Sequence, residues 1–237
     1  MARSDADGGS VGIALPPGIR LVATDLDGTL LRADQSVGPR TRRALAALAD
    51  AGIDLVLVTG RPPRWLLPVV QETGHRGTAI CANGAVVVDL AHERVIEVRP
   101  LEAGIALEAV ARLRRLRPGV TFAAERAHVG DDLAMTRFGL DPDYHPAWPL
   151  PDDTERAPIE DLVRAGGLVK LLARPVEGVD LDADDFLAEA DEALGPLLEV
   201  THSGATGTLL EMSPPGVDKG SALAAIAAER GIGAAAV

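Results

Sequence analysis

The chain has 237 residues, 47% hydrophobic and 24% charged, with a formal net charge of −12. That length holds one large or two modest domains, and that charge excludes a surface built for nucleic acid or an anionic membrane. The single cysteine, Cys81, excludes an intramolecular disulfide and suits a reducing cytoplasm, and no apolar run is long enough to span a bilayer.

Residues 1–17 are polar and Gly-rich, end in Pro16-Pro17 and read as a flexible tail. They lack the apolar stretch of a signal peptide. The apolar run over 19–24 reads as a buried strand, followed at once by Asp25-Leu26-Asp27-Gly28-Thr29-Leu30. Residues 40–51 place Leu45 and Leu48 on one helical face, with Pro39 at the start and Gly52 at the end. A second strand over 53–58 runs into Thr59-Gly60-Arg61, and Pro62-Pro63 opens a helix to Thr73. A third strand over 78–81 ends at Ala82-Asn83-Gly84-Ala85. Strand and helix in strict alternation predict a Rossmann-like, doubly wound α/β core with a parallel sheet and right-handed crossovers.

The pattern then changes. A hairpin over 85–98, a helix over 102–116, a proline-rich irregular stretch over 139–160, a strand over 168–173, a helix over 182–194 and a second hairpin over 197–212 predict an α+β insert. A last helix over 218–230 carries Lys219 in its first turn, and residues 234–237 read as a strand beginning.

The chemistry follows from these placements. Ligands of open α/β sheets bind at the carboxyl ends of strands, where Asp25 and Asp27 fall. One carboxylate can attack phosphorus while the other protonates the leaving oxygen. Gly28 and Thr29 let the chain turn and free N–H groups for an anion. The Thr59 hydroxyl can donate to a phosphoryl oxygen. Lys219 opposes the helix dipole, and such a violation marks functional positions. Arg61 reads either as a substrate contact or as a structural ion pair, and Asn83 as a substrate contact or a turn residue. Two weaker matches fail on context. Gly8-x-Ser10-x-Gly12 lacks a strand–turn–helix setting, and the acids at 180, 182 and 184 suit a helix N-terminus better than a calcium loop.

DLDGTL resembles the first motif of the haloacid dehalogenase-like (HAD) phosphohydrolases. Thr59 is similar to the second motif, Gly216-Val217-Asp218-Lys219-Gly220 to the third, and Asn83-Gly84 to a further recurring element. The resemblance implies Asp25 as nucleophile and Asp27 as general acid and base. It also implies Leu26, Gly28, Thr59, Gly60 and Lys219 as phosphate-binding, and Arg61 and Asn83 as substrate-binding. Mg²⁺ would be held by Asp25 and Asp27. An insert between the second and third motifs is a type IIB cap, as in the Cof-like branch. The expected organisation is therefore a core of residues 18–83 and 214–237 around a cap of residues 84–213.

The family's fourth motif, GD-x-x-x-D, does not follow Lys219; the one acid there, Glu229, lies inside a helix. The expectation is a weakened metal site, an uncovered edge at the first strand and a chain that is a piece of a longer product. The implied function is Mg²⁺-dependent hydrolysis of small phosphate monoesters, sugar phosphates or phosphorylated cofactors, in the cytoplasm. A phosphomutase and a non-catalytic binder of phosphorylated ligands are the alternatives. The sequence sets no oligomeric state.

Overall fold

Three apolar runs become parallel neighbours in this computed structural model, which describes residues 17–146, 148, 150, 154–176, 182–202 and 208–237. Residues 1–16 of the expected tail lie outside that range. The runs are β1 (Leu21–Asp25), β2 (Asp54–Val58) and β3 (Thr78–Cys81), joined by α1 (Pro39–Asp50) and α2 (Leu67–Thr73). Asp25 pairs with Val58, and Val58 with Ile80, so the three strands end level. The helix expected from Pro62 is broken. A 3₁₀ turn at Pro63–Trp65 precedes α2, because Pro68 has no N–H to donate to a continuous helix.

The hairpin expected in the insert belongs instead to this first sheet. β4 (Val86–Asp89) pairs antiparallel with β3, and β5 (Arg94–Val98) with β4. Val86 and Val88 join the same apolar cluster as Ala79 and Cys81, so burial against the core outweighs the change of pattern that the sequence shows there.

The chain continues through α3 (Ala103–Leu116), β6 (Val120–Arg126), β7 (Arg137–Leu140), β8 (Glu155–Arg156), α4 (Ile159–Arg164), β9 (Leu168–Pro175), α5 (Ala183–Leu194), β10 (Glu199–His202), β11 (Leu210–Ser213) and α6 (Lys219–Glu229). Strands β6 to β11 form a second sheet in the order β10-β11-β9-β6-β7-β8. β8 and α4 fall in the stretch read as irregular. β6 carries no periodic signal because every one of its residues is buried; a strand covered on both faces does not alternate.

Each sheet has a distinct core. In the first, Leu57, Ala79 and Cys81 pack with Val69 and Val70 of α2 and Leu45 of α1. On its other face Leu21, Val56 and Ile80 pack with Ala222, Ile226 and Ala227 of α6. In the second sheet, Phe122, Leu171, Ala173 and Met212 pack under α3, α4 and α5 through Val110, Leu162 and Phe186. Alternation sends Ala123, Glu125, Lys170, Leu172 and Glu211 to the opposite face. Residues 234–236 form a 3₁₀ turn rather than a strand, in keeping with the poor strand preference of alanine. Ala236 C=O accepts the Arg20 N–H at 2.8 Å. Among the described residues no helix is long and apolar enough to cross a membrane.

Cys81 is fully buried in this core, and burial pushes its thiol well above the usual cysteine range. A thiol so placed is unreactive. The folded protein is expected to resist alkylation by a maleimide and to react fully in denaturant; rapid labelling of the native protein would contradict this packing.

Candidate functional site

The level strand ends carry the chemistry-bearing residues to one edge. Asp25 closes β1, and a tight loop follows in which the N–H groups of Leu30 and Leu31 donate to the carbonyls of Asp25 (3.2 Å) and Leu26 (2.8 Å). Gly28 adopts φ +71° in that loop, a left-handed value that costs glycine nothing. The Leu26 side chain is fully buried, so only its backbone is available to an anion. Thr59 is also buried, and its Oγ1 accepts the Arg61 N–H at 3.0 Å.

Lys219 is the first residue of α6, and its Nζ donates to Asp25 Oδ1. The helix start is fixed by a capping box. Asp218 Oδ1 accepts the Ser221 N–H at 2.7 Å, and the Asp218 N–H donates to Ser221 Oγ at 3.0 Å. Gly84 touches the same point from the other side. It sits at φ +110°, and a Cβ there would lie 2.3 Å from the Asp218 carbonyl oxygen. Gly84→Ala is therefore expected to push the α6 start away from Asp25, lowering the melting temperature and the turnover together. Unchanged thermal unfolding would contradict this close approach.

Arg61 grips the second carboxylate. Its Nε donates to Asp27 Oδ2 at 2.8 Å, and its terminal nitrogen donates to Asp27 Oδ1 and to Gln35 Oε1. A two-point guanidinium–carboxylate contact fixes orientation as well as charge. Asn83 sits at φ +57°, and its Nδ2 donates to Glu211 Oε2 at 2.7 Å.

Three groups that the sequence reading passed over come from the second sheet. Lys170 on β9 stands directly opposite Glu125 on β6 and diagonal to Glu211 on β11. Its Nζ donates to Glu211 Oε2 at 2.8 Å and to the Gly60 carbonyl at 2.7 Å. Glu125 accepts from Arg64 through both carboxylate oxygens, one at 2.7 Å. Ion pairs from the second sheet thus reach the loop after β2. The available signal was a lone Lys in Leu168-Val169-Lys170-Leu171-Leu172 and a lone Glu in Leu210-Glu211-Met212; a charge in an apolar strand needs a partner when buried.

Two cavities open between the sheets. One of about 570 Å³ is lined by Asp25, Asp27, Gly60, Asn83 and Lys219, together with Glu211 from above. The other, of about 460 Å³, is lined by Asp27, Gly60 and Arg61 and extends to Trp65, Trp148 and Lys170. Both suit a small ligand in size. The structure so brings Asp25, Asp27, Gly60, Asn83 and Lys219 together, leaves Thr59 just behind them, and sets Arg61 at the junction of the two spaces. Among the described residues no group of three or more His, Cys, Asp or Glu is poised for a metal ion. The oxygens on offer to a hard cation are those of Asp25 and Asp27.

Comparison with known proteins agrees with this layout. Over 94 residues the chain is 36% identical to pyridoxal phosphate phosphatase YbhA of Escherichia coli (strain K12), covering 40% of this chain and 35% of that protein. Over 70 residues it is 43% identical to an HMP-PP phosphatase of Yersinia pestis (strain Pestoides F), covering 30% of this chain and 26% of that protein. These matches thus span about a third or less of the curated relatives' length. Among solved structures, the HAD-superfamily phosphatase BT1666 of Bacteroides thetaiotaomicron superposes with a TM-score of 0.70 at 18% identity, covering 96% of this chain and 79% of that one. TM0651 of Thermotoga maritima gives 0.64 at 24% identity, covering 90% and 76%; at such identities the likeness speaks for the fold. Residues 22–237 match the haloacid dehalogenase-like hydrolase family, so the parallel strands ending on DLDGTL are those of a Cof-like member of that family.

Proposed function

We propose that this chain hydrolyses small phosphate monoesters, sugar phosphates or phosphorylated cofactors, by transferring the phosphoryl group to Asp25. The observation that carries the reading is the Asp25 carboxylate at the end of β1, touched by the Lys219 ammonium and sharing one cavity with Asp27. The name of one relative, a pyridoxal phosphate phosphatase, supports phosphorylated cofactors as a substrate class.

In this reading an Asp25 oxygen attacks phosphorus and forms a P–O bond while the ester P–O bond breaks on the far side. Asp27, released by Arg61 at one oxygen and carrying a proton there, gives it to the leaving oxygen. It then takes a proton from the water that attacks the acyl phosphate, and the Asp25–P bond breaks to release inorganic phosphate. Lys219 offsets charge on the phosphoryl oxygens. Arg61 holds Asp27 beside the cavity, and the Thr59 hydroxyl and the backbone near Leu26, Gly28 and Gly60 serve the phosphoryl group. The second sheet with its helices, within residues 84–213, acts as the cap that shuts out water.

The donor set fits Mg²⁺. The ion takes oxygen ligands, uses one or two carboxylates, and completes its shell with water and substrate phosphate. Asp25 and the Asp27 carbonyl would hold it, and when bound it offsets phosphoryl charge. A single cysteine, which forms no intramolecular disulfide, suits work in a reducing cytoplasm.

The test is phosphate release from a panel of phosphate monoesters, with Mg²⁺ and with excess chelator. Release in Mg²⁺ that chelator removes is the expected result. Release unaffected by chelator contradicts the metal reading, and no release from folded protein contradicts hydrolysis. Conversion of a sugar phosphate to its isomer would favour a mutase.

A further inference from the structure

We propose that the second cavity selects a leaving group built on a flat aromatic ring, with Trp65 and Trp148 as the specificity-determining residues. The inference rests on the phosphatase reading and names its substrate class more narrowly.

The cavity borders Asp27, Gly60 and Arg61, so a leaving oxygen protonated by Asp27 carries its substituent into this space. The chain is poor in aromatic residues, yet both of its tryptophans line this cavity, and they also border a neighbouring one with Phe138. Their ring centroids are 5.7 Å apart at 89°. They form a right-angled corner, in which a flat ring can stack on one indole and point its edge at the face of the other. Trp65 comes from the turn after β2 and is 38% exposed at the rim. Trp148 comes from the far side, between β7 and β8, so the corner exists only where the two sheets meet.

The polar groups of the cavity are engaged with one another. Glu125 accepts from Arg64 at both oxygens, Arg61 donates to Asp27 and Gln35, and Lys170 bonds Glu211 and the Gly60 carbonyl. A sugar hydroxyl would compete with these bonds, whereas an aromatic face needs none. Leu172 and Leu209 complete an apolar wall.

The test compares pyridoxine 5′-phosphate with glucose 6-phosphate on the full chain, its Trp148→Leu variant and its Trp65→Leu variant. Because Trp65 is partly exposed, the second variant keeps the test informative if the first unfolds. The expected result is a ratio of kcat/KM, ring over sugar phosphate, that favours the ring at least tenfold and falls at least tenfold in the variants. Equal loss for both substrates, or a parent preference for the sugar phosphate, overturns the proposal. Calorimetric titration of the Asp25→Asn variant with both phosphates runs alongside. If no substrate is turned over, the phosphatase reading fails on its own. Tighter binding of the ring phosphate, weakened by adding Trp148→Leu or Trp65→Leu, still supports the aromatic pocket, and equal binding of the two phosphates overturns it.

Discussion

Asp25→Asn is expected to lower phosphate release on the order of 10⁴-fold or more, the scale on which loss of a covalent nucleophile lowers turnover. An amide keeps the size and most hydrogen bonds of the carboxylate but does not attack phosphorus. The fold gives little reason for collateral damage. The Asp25 side chain is about one-third exposed and, among the described residues, ion-paired with Lys219, a contact of modest structural weight at that exposure. Stability near that of the parent with turnover lost is therefore the expected pair of results, checked by thermal unfolding beside phosphate release. A variant that keeps a tenth or more of the parent rate would remove Asp25 from the chemistry.

Lys170→Met is expected to cost stability rather than chemistry alone. Lys170 is 4% and Glu211 15% exposed at the side chain, so solvent does little to screen them. Removing one partner of a buried pair leaves an uncompensated charge, typically at a cost of about 3–5 kcal/mol. For a chain of this size that corresponds to a fall in Tm of roughly 6–20 °C. Among the described residues Glu211 would keep the Asn83 amide as a partner, and the Gly60 carbonyl would lose the Lys170 donor. The double variant Lys170→Met with Glu211→Leu is expected to recover most of the loss, because neither charge then remains buried. Denaturant unfolding of the two singles and the double checks this. A single variant within about 1 kcal/mol of the parent, near the ordinary mutational cost, would show that the pair does not clamp the second sheet to the loop after β2.

The contrast between these two residues explains what the sequence discloses. Asp25, Asp27, Thr59, Asn83 and Lys219 are legible because each sits at the end or start of an element with a strong local signal: an apolar run that stops, or a capped helix that begins. Parallel strands ending level then bring them together without further information. Lys170, Glu125 and Glu211 lie inside strands, and their meeting depends on the register of β6, β9 and β11, which no local pattern sets. Trp148 stands in a proline-rich stretch with no periodicity, so its approach to Trp65 is a product of tertiary packing. The sheet that the first hairpin joins is hidden from the sequence for a related reason. Its alternation predicts strands but not which sheet they extend, and pairing with β3 decided that. β6, buried throughout, shows no alternation to read.

The central claim is that the phosphoryl group passes through Asp25. Borohydride reduces an acyl phosphate to an alcohol, so adding it during turnover with Mg²⁺ and substrate marks the carboxylate that carried phosphate. Peptide mass mapping is expected to find residue 25 converted to homoserine, only when substrate is present, with Asp27 untouched. Phosphate release with no reduction at Asp25, or reduction at another carboxylate, would contradict the account.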